Sequence, residues 1–201
     1  LLMSLYFNCL TPLYMPNLIP NRSNYRELLC YRKAETIYDI TYHFTRNYFS
    51  KGDRTIDQMV QAARSGKQNI VEGYAAGATS TETEIKLFNV AKSSLQELLI
   101  DYEDYIRTHN LVRWDKGSKQ MQRAQELGRE HNETEFWMKL IKTRNAETTA
   151  NLAIILIYQA DYLLYKYLQA VGERFLHQGG FREKLTRERV EFRKRANNNQ
   201  H

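Results

Sequence analysis

All three prolines of the chain, Pro12, Pro16 and Pro20, fall within its first twenty residues, and the 181 residues that follow contain none. An interior proline removes a backbone donor and costs a helix about 3 kcal/mol, so this stretch is free to form helices of twenty residues and more. Along it the apolar residues recur at threes and fours, the helical period. With 42% hydrophobic and 26% charged residues, the chain is globular in composition. Its 201 residues suit one domain able to bury its own core.

Ala34, Ile37, Ile40, Phe44 and Tyr48 place a first helix between Tyr25 and Phe49. Lys51, Gly52 and Asp53 then supply a stop and an N-cap, and Ile56, Val60, Ala63, Ile70 and Tyr74 carry a second helix that Gly77 ends. Ala62, Gly66 and Gly73 form a small-residue stripe against which another helix can come close. Thr81 and Glu84 read as a capping box. The third helix runs from there to about Arg107, with Phe88, Ala91, Leu95, Leu98, Tyr102 and Tyr105 as its heptad.

The segment from His109 to Lys142 is more polar, has Gly117 and Gly128 as breaks, and reads as one or two short surface helices. A fourth long helix, from about Asn145 to Leu176, is apolar on nearly every face. Its uninterrupted apolar run, Leu152 to Tyr158, is far short of the roughly 20 residues that a membrane span needs. The expected packing is therefore its own bundle on one side and another subunit on the other, with Ile155 on the packing face, which predicts an oligomer. Gly179 and Gly180 end this helix. A basic final helix follows, with Phe181, Leu185 and Phe192 as its thin apolar side.

The stretch "SGKQNIVEGYAAGATSTETEIK", Ser65 to Lys86, looks most like chemistry, yet it is not a phosphate loop. Gln61 stands where a Walker glycine is needed, Gln68 follows Lys67 in place of Ser or Thr, and the spacing of Gly66, Gly73 and Gly77 fits no dinucleotide fingerprint. None of the five histidines has a glutamate three residues before it, so a di-iron bundle is not expected. HExxH, GxSxG and CxxC are missing as well. Asp101, Glu103 and Asp104 read as a solvated face. The reading is of a non-enzymatic protein with no cofactor and no metal. Tyrosines such as Tyr38, Tyr102, Tyr105, Tyr162 and Tyr167 lie near apolar faces and are assigned to core or subunit contact rather than to base stacking.

The segment "NIVEGY", Asn69 to Tyr74, followed by "STETEIKLFNVAKSSLQELL", Ser80 to Leu99, resembles the bacterial four helix bundle family, named for proteins encoded in intervening sequences of 23S ribosomal RNA and also labelled S23. The fourth helix with its Gly-Gly end and the Arg-rich final helix are similar to the branch with a C-terminal four helix bundle suffix. The resemblance covers roughly Tyr25 to Arg195. It implies a compact antiparallel fold that assembles as a homopentamer, mostly without assigned activity. A relative, the accessory determinant of diversity-generating retroelements, implies binding to a reverse transcriptase and nucleic acid. At the turn after the second helix "AAGAT" replaces more basic residues, which moves attention to the final helix.

The expected fold is all-α: an antiparallel up-and-down four-helix bundle, with short helices in the connection from the third to the fourth helix and an extra C-terminal helix. Residues 1–21 are an N-terminal extension expected to be poorly ordered, 22–178 the bundle, 179–196 the basic suffix helix and 197–201 a disordered tail. The extension is apolar but lacks a basic n-region and a cleavage site, so it reads as an over-extended gene start or an arm across a neighbouring surface rather than a leader or anchor. Two cysteines, Cys9 and Cys30, make no disulfide framework, and a reduced, cytoplasmic setting is expected.

The net charge of +6 is concentrated at the C-terminus, where the final 21 residues hold seven basic and three acidic side chains. Arg182, Lys184, Arg187, Arg189, Arg193, Lys194 and Arg195 are the candidate nucleic-acid-binding residues. The expected function is an oligomeric bundle that binds RNA, DNA or a nucleic-acid-processing protein through them. Two alternatives stand beside it. One is a solvated helix held by Glu183 with Arg187 and Glu191 with Arg195; the other is an adaptor that gathers a protein partner and touches no nucleic acid.

Overall fold

The computed structural model describes residues 22–198, and every regular element among them is helical. A short 3-10 turn, Tyr25–Glu27, precedes α1 (Leu29–Tyr48), α2 (Arg54–Ala76), α3 (Thr81–Thr108), α4 (Lys119–Glu130), α5 (Thr134–Ile141), α6 (Ala146–Gln178) and α7 (Phe181–Asn198). The expected extension, residues 1–21, lies outside the described residues. The expected tail does so only in part, because α7 continues through Asn197 to Asn198.

Local chemistry sets most boundaries. Asp53 caps α2 by accepting from the Thr55 amide at 2.8 Å, and Gly52, at φ 89°, turns the chain ahead of it. The α3 cap is Ser80, which accepts from the Thr83 amide at 3.2 Å, not Thr81. The capping box fails because Glu84 turns inward instead of back toward the helix start. The first helix also starts later than its periodicity suggests, because Leu28 is extended and separates the 3-10 turn from α1.

Around the core α1 packs on α2, α2 on α3, α3 on α6 and α6 on α1. The α2–α3 contact rests on the small-residue stripe. A Cβ on Gly66 would lie 2.9 Å from Leu95 Cδ2, and one on Gly73 would lie 2.7 Å from Phe88 Cδ2. Both glycines therefore fit by having no side chain. At the far end of the core, Phe44 meets Tyr48, Phe49, Tyr102 and Tyr105 at ring separations of 4.7–5.9 Å. The Tyr102 hydroxyl, fully buried there, donates to Thr41 Oγ1 at 3.0 Å.

The connection between α3 and α6 is less superficial than its polarity suggests. Trp137 and Ile141 of α5 are buried against α1, and the Trp137 indole donates to the His131 carbonyl at 3.1 Å. Gly128 does not break α4, which continues to Glu130. Its missing side chain instead lets α4 settle on Gln159 of α6. The buried Lys33 of α1 donates to the carbonyls of Gly128 and His131, which closes the C-terminal end of α4.

These connections alter the account of α6. Thr149 to Ile157 are all buried within the one chain, because α1, α3 and α4 pack on α6 and the 109–118 segment is pinned to it. Asn151 makes that pin: its amide donates to the Val112 carbonyl and its carbonyl accepts from the Trp114 amide, each at 2.9 Å. The apolar run thus has its cover without a second subunit, and Ile155 lies inside the chain rather than on a subunit face. No helix among the described residues is long and apolar enough to cross a membrane.

Two glycine substitutions test this packing in opposite directions. Gly73→Ala is expected to destabilise the fold by about 1–3 kcal/mol through overpacking against Phe88. Gly172→Ala, where an added Cβ meets nothing within 4 Å in the C-terminal part of α6, is expected to stabilise by about 0.5–1 kcal/mol. Urea unfolding followed by circular dichroism reads both.

Candidate functional site

The candidate nucleic-acid residues all lie on α7, which a tight turn joins to α6. Gly179 sits at φ 72°, the left-handed conformation that favours glycine, and its amide donates to the Phe175 carbonyl at 2.9 Å. From this turn α7 leaves the core: none of its residues belongs to the buried cluster. The helix follows from composition, since Arg, Lys, Glu and Leu are good helix formers and no glycine or proline interrupts them after Gly180.

Arg182, Arg187, Arg189, Arg193, Lys194 and Arg195 are exposed and Lys184 is half-buried. Arg182, Arg189 and Arg193, spaced by seven and four, share one stripe of the helix, with Phe181, Leu185 and Phe192 on the stripe beside it. Of the two internal ion pairs expected for a merely solvated helix, one forms: Arg195 meets Glu191 at 3.5 Å. The other does not. Arg187 donates instead to the Gln178 carbonyl at 3.0 Å. Arg182, Lys184, Arg189, Arg193 and Lys194 have no carboxylate within 4 Å among the described residues. Apart from a longer-range attraction between Arg182 and Glu82 of α3, their charge is left to solvent and to any anion that comes near.

The platform that carries this helix is held by a buried carboxylate. Glu84, with 0% of its side chain exposed, accepts from Arg22 at 2.6 Å, from Tyr167 at 2.6 Å and from Arg174 at 3.0 Å. Arg22 also reaches the Tyr74 carbonyl at 3.4 Å. One side chain of α3 is thereby tied to the segment before α1, to the end of α2 and to the C-terminal half of α6. Gly77 leaves the room, since a Cβ there would collide with both Arg22 and Glu84. Tyr167 stacks on Phe88 at 4.1 Å, and burial, reinforced by the carboxylate it faces, pushes its phenol well above the ordinary value. Sequence reasoning missed this cluster, because Arg22 and Arg174 are 152 positions apart and the only local signal pointed to a cap.

The tyrosines expected at core or subunit contacts divide between the interior and the surface. Tyr102 and Tyr105 lie in the core, whereas Tyr162 is 60% exposed and is not a core residue, and Tyr158 and Tyr165 beside it are exposed as well. The three share one face of α6 at spacings of four and three. The register held a signal, since Ala153, Leu156, Ala160 and Leu164 occupy the opposing buried face. Arg113 donates to the Tyr158 hydroxyl at 3.1 Å and pairs with Glu103, and Lys92 lies 5.9 Å from the Tyr165 ring. Asp104 of the acidic cluster pairs with Arg107 at 2.8 Å. Among the described residues no group of three or more His, Cys, Asp or Glu side chains could hold a metal ion.

Glu84→Ala is expected to destabilise the fold by about 3 kcal/mol, since it removes the one acceptor shared by two guanidinium groups and a phenol. Denaturant unfolding measures this, and a loss below about 0.5 kcal/mol would reduce the cluster to a surface ion pair. Comparison of the chain with protein-family models, with curated proteins and with solved structures finds no match in any of the three.

Proposed function

We propose that this chain is an up-and-down four-helix bundle of α1, α2, α3 and α6, distantly related to the four helix bundle family, that binds RNA or a nucleic-acid-processing partner through α7. The observation that carries the functional reading is the state of α7: a helix with seven basic side chains, none of them in the core and only Arg195 paired with a carboxylate among the described residues. Such a helix neutralises phosphates and releases counterions, which gives salt-dependent and largely sequence-independent binding. Two ends of the bundle support the topology. The Tyr48 hydroxyl at the end of α1 donates to the Arg144 carbonyl just before α6, and Glu84 near the start of α3 meets Tyr167 and Arg174 late in α6. Both pairs suit helices that run in opposite directions.

Homo-oligomer formation, as the pentamer of the resemblance, belongs to this proposal on altered grounds. The buried run of α6 no longer calls for a partner copy. The exposed face of Tyr158, Tyr162 and Tyr165 is the apolar surface that a second copy would cover. The adaptor reading draws on the other end of α6, where Leu176 is 82% exposed and Phe175 is exposed beside it, and on Val190 and Phe192, exposed on α7.

Binding of a structured RNA across a salt series tests the reading. Full-length protein is compared with the variant Arg182→Ser, Arg189→Ser, Arg193→Ser and with a truncation ending at Gly180, which removes no core residue. The triple variant is expected to lower the slope of log K against log salt by about two to three, and the truncation to lose most of the affinity while keeping its mass in light scattering. Equal binding by all three proteins moves the contact away from α7. No binding at low salt gives precedence to a protein partner.

A further inference from the structure

Between α4 and the middle of α6 lies a cleft of about 970 Å³, within the size range of sites that take small organic ligands. Met121, Ile155 and Leu163 give it an apolar lining, and Trp114, Tyr158 and Tyr162 an aromatic one. Lys33, Arg113, Lys116 and Arg129 also line it, and among the described residues no carboxylate does.

The four cations are not equivalent. Lys33 is committed to the carbonyls that end α4, and Arg113 to Glu103 and the Tyr158 hydroxyl. Lys116 and Arg129 are exposed and have no ion pair within 4 Å among the described residues. Deeper in, Gln159 donates to the Gln125 carbonyl at 2.9 Å, while its own Oε1 is buried and accepts from no donor among the described residues.

A solvated cation on a helix is ordinary, and so is a shallow apolar hollow. Here the two coincide, and together they select a ligand. A simple inorganic anion would make no use of Met121, Ile155 and Trp114, and an uncharged apolar molecule none of Lys116 and Arg129. Burial lowers the Lys33 ammonium to about 8, so an anion in the cleft would also offset the cost of keeping that charge inside. We propose that this cleft binds a small organic anion with a ring-bearing apolar body, its rings against Trp114, Met121 and Ile155 and its anionic group drawn to the edge that carries Lys116 and Arg129. The site is separate from α7 and stands whether or not that helix binds nucleic acid, but it shares Tyr158 and Tyr162 with the face proposed for a second copy, so a copy seated there would compete with the ligand.

Fluorescence titration of the full chain with anilinonaphthalene sulfonate, an aromatic anion, tests the proposal. Saturable binding is expected, with naphthylacetate displacing the probe about tenfold better than uncharged naphthalenemethanol. Lys116→Glu with Arg129→Glu is expected to weaken the probe about tenfold or more while circular dichroism stays unchanged. If that variant loses helicity, Lys116→Gln with Arg129→Gln replaces it. Ligand-dependent quenching of Trp114, absent in Trp114→Phe, places the probe in the cleft. The proposal is overturned by a failure to saturate, by equal displacement with the alcohol, or by undiminished binding in a folded charge variant.

Discussion

The carboxylate of Glu84 is the point from which the rest of the helical arrangement is held. It has no exposed surface and three donors from separate parts of the chain. A carboxylate taken out of water is costly unless its oxygens are fully partnered. Arg22, Tyr167 and Arg174 must therefore arrive together, and their arrival sets the register of α6 against α3 and brings residue 22 under the α2–α3 turn. The α7 helix inherits its position from this arrangement, because Arg174 lies five residues before the Gly179 turn.

The same economy of contacts explains how a single chain covers so apolar a helix as α6. Close approach of α2 to α3 at Gly66 and Gly73 narrows the core on one side. On the other, α4 and the 109–118 segment come down onto α6 through Gly128 and Asn151. The connection that reads as a surface elaboration is thus a fifth wall of the core. It ends where α6 becomes exposed at Tyr158, and the cationic cleft opens at that edge.

Charge and structure divide the molecule into two regions available to other molecules. The α7 helix offers unpaired guanidinium and ammonium groups along its length, which suits a polyanion held through many weak contacts. The cleft offers fewer cations beside aromatic and aliphatic groups, which suits one compact ligand. On α7 it is the number of unpartnered cations, and in the cleft their coincidence with an aromatic and aliphatic lining, that distinguishes the surface from an ordinary helix exterior.

Much of this architecture was legible in the residues alone. The proline-free stretch and the period of Phe88, Ala91, Leu95, Leu98, Tyr102 and Tyr105 determined the long helices, and Asp53, Asn145 and the Gly-Gly pair determined where α2 and α6 begin and where α6 ends, because propensity, periodicity and capping are local properties. What stands opposite a residue across the core is not local. Only the tertiary structure decided that Glu84 would meet two arginines rather than cap its own helix, that Gly128 would seat α4 instead of ending it, and that α6 would be covered within the chain. It also decided that Tyr162 would face outward and that Lys116 and Arg129 would edge one cleft. Each of these depends on side chains far apart in sequence, and helical spacing alone carries no information about which distant helix they will meet.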